Sequence, residues 1–169
     1  MVYDFLFLIM NILYQKNQII LRKSARQDCA RLAAVLRPED RAELAASHPG
    51  REAGELMGEF FDRSARCFTL EFKGEVAAVF GLSPGTWLGR RACVWLLSGK
   101  SVEKIPKTFV RVARILLGRM LAEYPELYNF ADGRYAAALR FIRRLGGSFD
   151  GTFYDTPSAR FLGFTFRRK

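Results

Sequence analysis

The stretch "SGKSVEKIPK", residues 98–107, concentrates the side chains best suited to hold an anion. Gly99 follows an apolar run and lets a main chain come close. Lys100, Lys104 and Lys107 bring positive charge, Ser101 brings a hydroxyl, and Pro106 opens a helical pattern. A helix N-terminus adds free N–H groups and a favourable dipole, so this order of parts can cradle a phosphate. It is not a P-loop, because the first glycine of that motif would fall at Val94. Pro106 also removes one donor. Two readings stay open, an anion site and a solvated basic turn.

Other chemistry is sparse. His48, the single histidine, sits beside Pro49 and Gly50, which predicts an exposed turn position and no histidine-based metal site. Cys29, Cys67 and Cys93 are odd in number and widely spaced, which argues against a disulfide framework and for reduced thiols in a cytoplasmic setting. Glu71 and Glu75 flank the Lys73-Gly74 turn and read as solvated. Arg140, Arg143 and Arg144 share one helical side and could meet phosphates, but no nucleic-acid motif and no interleaved aromatic platform accompanies them. Nucleic acid is therefore not the expected partner.

The 169 residues suit one domain, and Lys plus Arg outnumber Asp plus Glu by 27 to 17. That balance favours an anionic partner without choosing one. The run "FLFLIMNILY" near the start is well short of the roughly 20 residues a membrane-spanning helix needs. Asp4 precedes it and no basic residue does, so a signal peptide fits poorly. Residues 1–17 are expected to form an apolar extension and residues 18–169 a single domain.

These side chains need a frame. "QIILRKS" reads as a strand and "RQDCARLAAVL" as an amphipathic helix. Two further helical patterns follow, one opening at Pro38 and one over residues 51–66. Two β-type runs flank Lys73-Gly74, a hairpin signal. "RACVWLLS", residues 91–98, is nearly all apolar and predicts a strand buried on both faces. The next helix carries Phe109, Val112, Ala113, Leu116, Leu117 and Met120 on one face. "ELYNF" is a short strand, Asp132 a plausible N-cap, residues 134–146 a helix with Tyr135 and Ile142 inward, and two strands close the chain. The strand–helix–strand step through residues 91–130 demands a right-handed crossover and a parallel pair. The expected fold is a mixed α/β (α+β) sheet, mostly antiparallel, with a central parallel pair and helices on both faces.

This order resembles the fold of the GCN5-related N-acetyltransferase (GNAT) superfamily over residues 18–169. "WLLS", "PKTFVRVAR", "YPELYNFAD" and "AALRFIRRLG" together look more narrowly like the acetyltransferase-like proteins of phage and prophage, which include proteins similar to internal virion protein A. The resemblance implies that acetyl-CoA enters between the splayed central strands, with its pyrophosphate on the turn at Gly99–Lys107. It makes Leu97, Ser98, Gly99, Lys100, Ser101, Lys104, Lys107 and Asn129 the candidate cofactor residues. Tyr128, Asp132 and Tyr135 near the expected cleft are the candidate acid/base residues for acyl transfer to an amine. The chain departs from the superfamily at four places. The glycine-rich turn is absent, Tyr135 stands where an Asn is usual, Ile142 stands where a Tyr protonates the leaving thiolate, and Gly146-Gly147 stands where Gly-Phe is usual. These departures imply an alternative, a catalytically degenerate structural or interaction module of a virion or its assembly, with phage proteins as partners.

Overall fold

A computed structural model describes residues 12–85 and 89–168. Its strands are β1 (Ile12–Lys16), β2 (Ile19–Lys23), β3 (Arg66–Phe72), β4 (Glu75–Pro84), β5 (Arg91–Ser98), β6 (Glu126–Asp132), β7 (Ser148–Asp155) and β8 (Arg160–Arg167). The helices are α1 (Gln27–Val35), α2 (Pro38–Ser47), α3 (Ala53–Arg63), α4 (Pro106–Glu123) and α5 (Ala136–Arg144), with a 3-10 turn at Lys100–Lys104. The eight strands form one sheet in the order β1-β2-β3-β4-β5-β6-β8-β7. Every neighbouring pair is antiparallel except β5 with β6.

Local sequence explains the element ends. Lys73 and Gly74 both take positive φ, 53° and 78°, the twist a two-residue hairpin needs. Gly146 closes α5 at φ 95°, and the N–H groups of Gly146 and Gly147 return to the carbonyls of Arg143 and Ile142. Pro38 and Pro106 occupy first helical turns, where a missing N–H costs nothing. Ile12–Lys16, part of the apolar start of the chain, pairs with β2 as an edge strand. The rest of the run from residue 5 lies outside the described residues.

Helices cover both faces. α4 and α5 pack one face through Phe109, Val112, Leu116, Met120 and Ile142, while α1, α2 and α3 pack the other through Leu32, Leu44, Leu56 and Met57. All six residues expected on the inner face of α4 are buried.

One expectation fails in an instructive way. The strand buried on both faces is β4, whose Val76–Leu82 segment is wholly buried. β5 instead leaves Cys93, Val94, Trp95 and Leu96 only half-buried. The reason is the sheet itself: β5 and β6 register only at Arg91↔Glu126, Ala92↔Leu127 and Cys93↔Tyr128, then diverge. The apolar residues of β5 beyond the fork border a gap. Among the described residues no helix is long and apolar enough to cross a membrane.

Candidate active site

The fork between β5 and β6 opens into a cavity of about 620 Å3. Its walls come from both faces of the sheet. α4 and α5 contribute an apolar side that includes Ala113, Leu117, Ala138 and Ile142. α2 contributes a polar side with Arg37, Glu39, Asp40 and Glu43. A passage through the sheet is thus apolar at one end and charged at the other.

The fork is held by Asn129. Its Nδ2 donates to the Val94 carbonyl at 2.8 Å, and its Oδ1 accepts the Phe130 N–H at 2.7 Å. The side chain replaces one ladder bond that divergence removes, since an unpaired buried carbonyl is costly. At the far end of β5 the start of α2 does the same work. The Arg37 N–H donates to the Ser98 carbonyl at 3.0 Å, and the Ser98 N–H donates to Asp40 Oδ1 at 3.1 Å. Asp40 is also bound by Arg37 Nε at 2.8 Å. Burial raises the Asp40 carboxyl above the usual range despite these partners.

Glu43 lies one turn along the same helix, half-buried in the cavity wall. Burial pushes its carboxyl up to about 7, with the charges of Asp40 and Asp132 adding to the rise. The main chain of Asp132 and the Arg134 guanidinium offset part of it. A raised carboxyl in a cavity wall makes Glu43 a candidate acid/base group. Sequence reasoning missed it. α2 reads as an ordinary helix with acidic residues in its first turn, and only the tertiary fold brings it over the fork.

The candidates from the sequence separate into three groups. Ser98, Asn129 and Tyr135 line the cavity. Leu97 points to the opposite core with α1 and α3. The turn residues stand apart: Gly99 donates its N–H to the Ala77 carbonyl at 2.9 Å, and a Cβ there would meet the Val35 carbonyl at 3.0 Å. Its small size therefore serves the packing of α1 against the turn. Ser101 is buried, while Lys100, Lys104 and Lys107 are exposed around the start of α4.

Among the acid/base candidates, Tyr135 stands at the start of α5, half-buried, with the Arg134 guanidinium 5.4 Å from its ring centroid. Tyr128 lies beside a smaller recess with Gly85 and Arg91, and the Arg91 guanidinium covers its ring at 4.7 Å. Asp132 does not cap α5: its carboxylate is fully buried and clamps Arg134, accepting from that residue's N–H at 3.0 Å and from Nε at 2.9 Å. The loop at Gly133 delays the helix to Ala136, so the carboxyl turns back onto its own loop. Two further expectations are corrected. Glu71 is not solvated but bound by Arg22 at 2.5 Å and Arg31 at 3.3 Å. His48 is half-buried, edge-on to Phe60 at 5.6 Å.

No family model matches the sequence. No curated protein resembles it in sequence either. Solved structures do resemble it in shape. A protein assigned to the GNAT family of acetyltransferases from Chromobacterium violaceum superposes with a TM-score of 0.70 at 11% identity, over 94% of this chain and 91% of that one. A spermidine N-acetyltransferase chimera involving Vibrio cholerae gives 0.64 at 15% identity, over 89% and 95%. An aminoglycoside acetyltransferase solved with coenzyme A gives 0.62 at 15% identity, over 89% and 95%. The forked, mostly antiparallel sheet with helices on both faces is a GNAT-like fold.

Proposed function

We propose that the protein transfers an acyl group from acyl-coenzyme A to an amine, with the donor arm in the gap between β5 and β6. The observation that carries this reading is the fork: two central strands part after three registered pairs and leave a cavity running through the sheet. The gap suits an extended arm, because Ala113, Ala131 and Ala138 keep its walls small. The anionic end of the donor would meet Lys100, Lys104 and Lys107 and the first N–H groups of α4. With Gly99 packed under α1, that end relies on charge more than on a glycine-built cradle. When bound, the donor supplies an activated thioester carbonyl.

The chain's own residues favour direct transfer. Burial raises Cys29, Cys67 and Cys93 each to about 11, and none of the three lines the cavity, so a thiol nucleophile is not at hand. Tyr135 is the hydroxyl best placed in the cavity wall to return a proton to the leaving sulfur, a role that Ile142 is chemically unable to fill. Titration calorimetry with acetyl-CoA is the test. Saturable binding is expected, weakened at least tenfold by Ala138→Phe, which narrows the gap from α5. No heat at millimolar ligand would sink the reading.

A second reading has its own support. Ile142 in the acid's place and the turn without free glycine N–H groups suit a phage-type module of this fold that has lost catalysis. It predicts no acyl-CoA binding in the same experiment.

A further inference from the structure

The cavity wall carries several carboxylates, and all but one are accounted for. Asp40 is held by Arg37 and Ser98. Glu39 and Glu103 are exposed at the rim. Asp132, just behind the wall, is clamped to Arg134. Glu43 alone is half-buried in the wall with no ion pair among the described residues, although α2 holds it firmly through the Asp40–Ser98 contact one turn earlier. The Asp132 main chain and the nearby Arg134 guanidinium offset only part of the cost of burying it, so the carboxyl stays raised while facing the cavity.

We propose that Glu43 is the general base of the transfer, taking the proton of an ammonium acceptor that enters the cavity from the α2 side. This rests on the acyl-transfer reading. The acceptor arrives as R–NH3+ and gives one proton to the Glu43 carboxylate. The amine nitrogen then forms a bond to the thioester carbonyl carbon, and the C–S bond breaks with its electron pair going to sulfur. A second nitrogen proton ends on that sulfur, giving a free thiol and an amide. Glu43 finally releases its proton to solvent.

The groups facing Glu43 set the pH response. They are Asp40 on α2, Asp132 on β6, Arg134 in the following loop and Tyr154 on β7, whose own phenol is raised by burial and by the Glu43 and Asp132 charges. With its carboxyl near 7, Glu43 is about half ionised at neutral pH, the range in which a general base works best. The working form is the carboxylate, so the rate rises through pH 7 and levels off above it.

Thiol release from acetyl-CoA with spermidine as the amine probe tests this across pH 5.5 to 9. Glu43→Gln is expected to bind acetyl-CoA as tightly as the unaltered protein, to lose about 10²–10⁴-fold in kcat, and to lose the pH limb near 7. Glu43→Asp should restore part of the rate with a shifted limb. A Glu43→Gln protein that keeps the rate and the limb overturns the proposal while leaving acyl transfer intact. If acetyl-CoA binds but no thiol is released by the unaltered protein, the base assignment also falls. Absence of acetyl-CoA binding defeats the underlying reading instead.

Discussion

Asp28 on α1 and Glu43 on α2 are both carboxylates turned toward the sheet from helices on the same face, yet their surroundings drive them in opposite directions. Burial pushes Asp28 up, but partners more than reverse it. Arg22 grips both oxygens at 2.7 and 2.8 Å, the Ala25 N–H donates at 2.8 Å and Thr69 Oγ1 at 2.9 Å. Its carboxyl therefore lies below the usual range, and Asp28 in turn raises Arg22. Glu43 has burial without the pairing, plus two like charges nearby, and moves up. The first helix fastens the fold with a carboxylate held in ion pairs. The second turns one without an ion pair among the described residues into a cavity. Partner count, more than depth, separates a structural carboxylate from one available for proton transfer.

The contrast breaks most sharply at Asp28. Asp28→Ala strips Arg22 of its bidentate partner and is expected to cost about 3–5 kcal/mol in urea unfolding. A loss under about 1 kcal/mol would mean that the network does not fasten β2, β3 and α1 together. Next comes Glu43→Gln, with the opposite sign. A carboxyl raised from the ordinary 4.5 to about 7 makes the folded state bind the proton more tightly than the unfolded state. Stability then falls as pH climbs from about 4.5 to 7 and stays low above it. The substitution should gain roughly 1–3 kcal/mol at pH 8 and nothing at pH 4. Thermal melts at the two pH values read this directly, and equal shifts would refute it.

Asp28 gives the mirror-image pH response. Its contribution is present above the ordinary aspartate range and is lost as pH falls through its depressed folded value. The urea midpoint of the unaltered protein should drop in that acid window, and the Asp28→Asn midpoint should drop less. The smallest effect is expected at the rim of the same network. Glu71→Gln keeps a hydrogen-bond acceptor for Arg22 and Arg31, so about 1 kcal/mol is expected from equilibrium unfolding.

The frame was legible where local chemistry decides it. The α4 face follows from 3.6-residue periodicity, the β3–β4 turn from Lys73-Gly74, and the end of α5 from Gly146. The order of elements was enough to require a parallel pair at the centre. The site was less legible because it is made by non-local events. The apolar letters of β5 resemble a strand packed on both sides, and nothing within them says that the neighbour leaves after Cys93. Alternation along β6 separates Tyr128 from Asn129, which is why only the second reaches the fork. Asp40 and Glu43 acquire meaning only when α2 crosses the end of β5, a contact between residues 58 apart in the case of Asp40 and Ser98.

The fork also divides the sheet mechanically. Among the described residues, five strands lie on one side of it and three on the other, joined by a three-residue ladder, the Asn129 side chain and the helices. Such leaves can breathe as separate cooperative units, with amide exchange fastest along the edges that face each other across the opening. A molecule stretched between them, bonded to both edges, would act as a rivet. It would slow that exchange on both leaves at once and raise the melting point by mass action, without touching the packed faces beneath the helices.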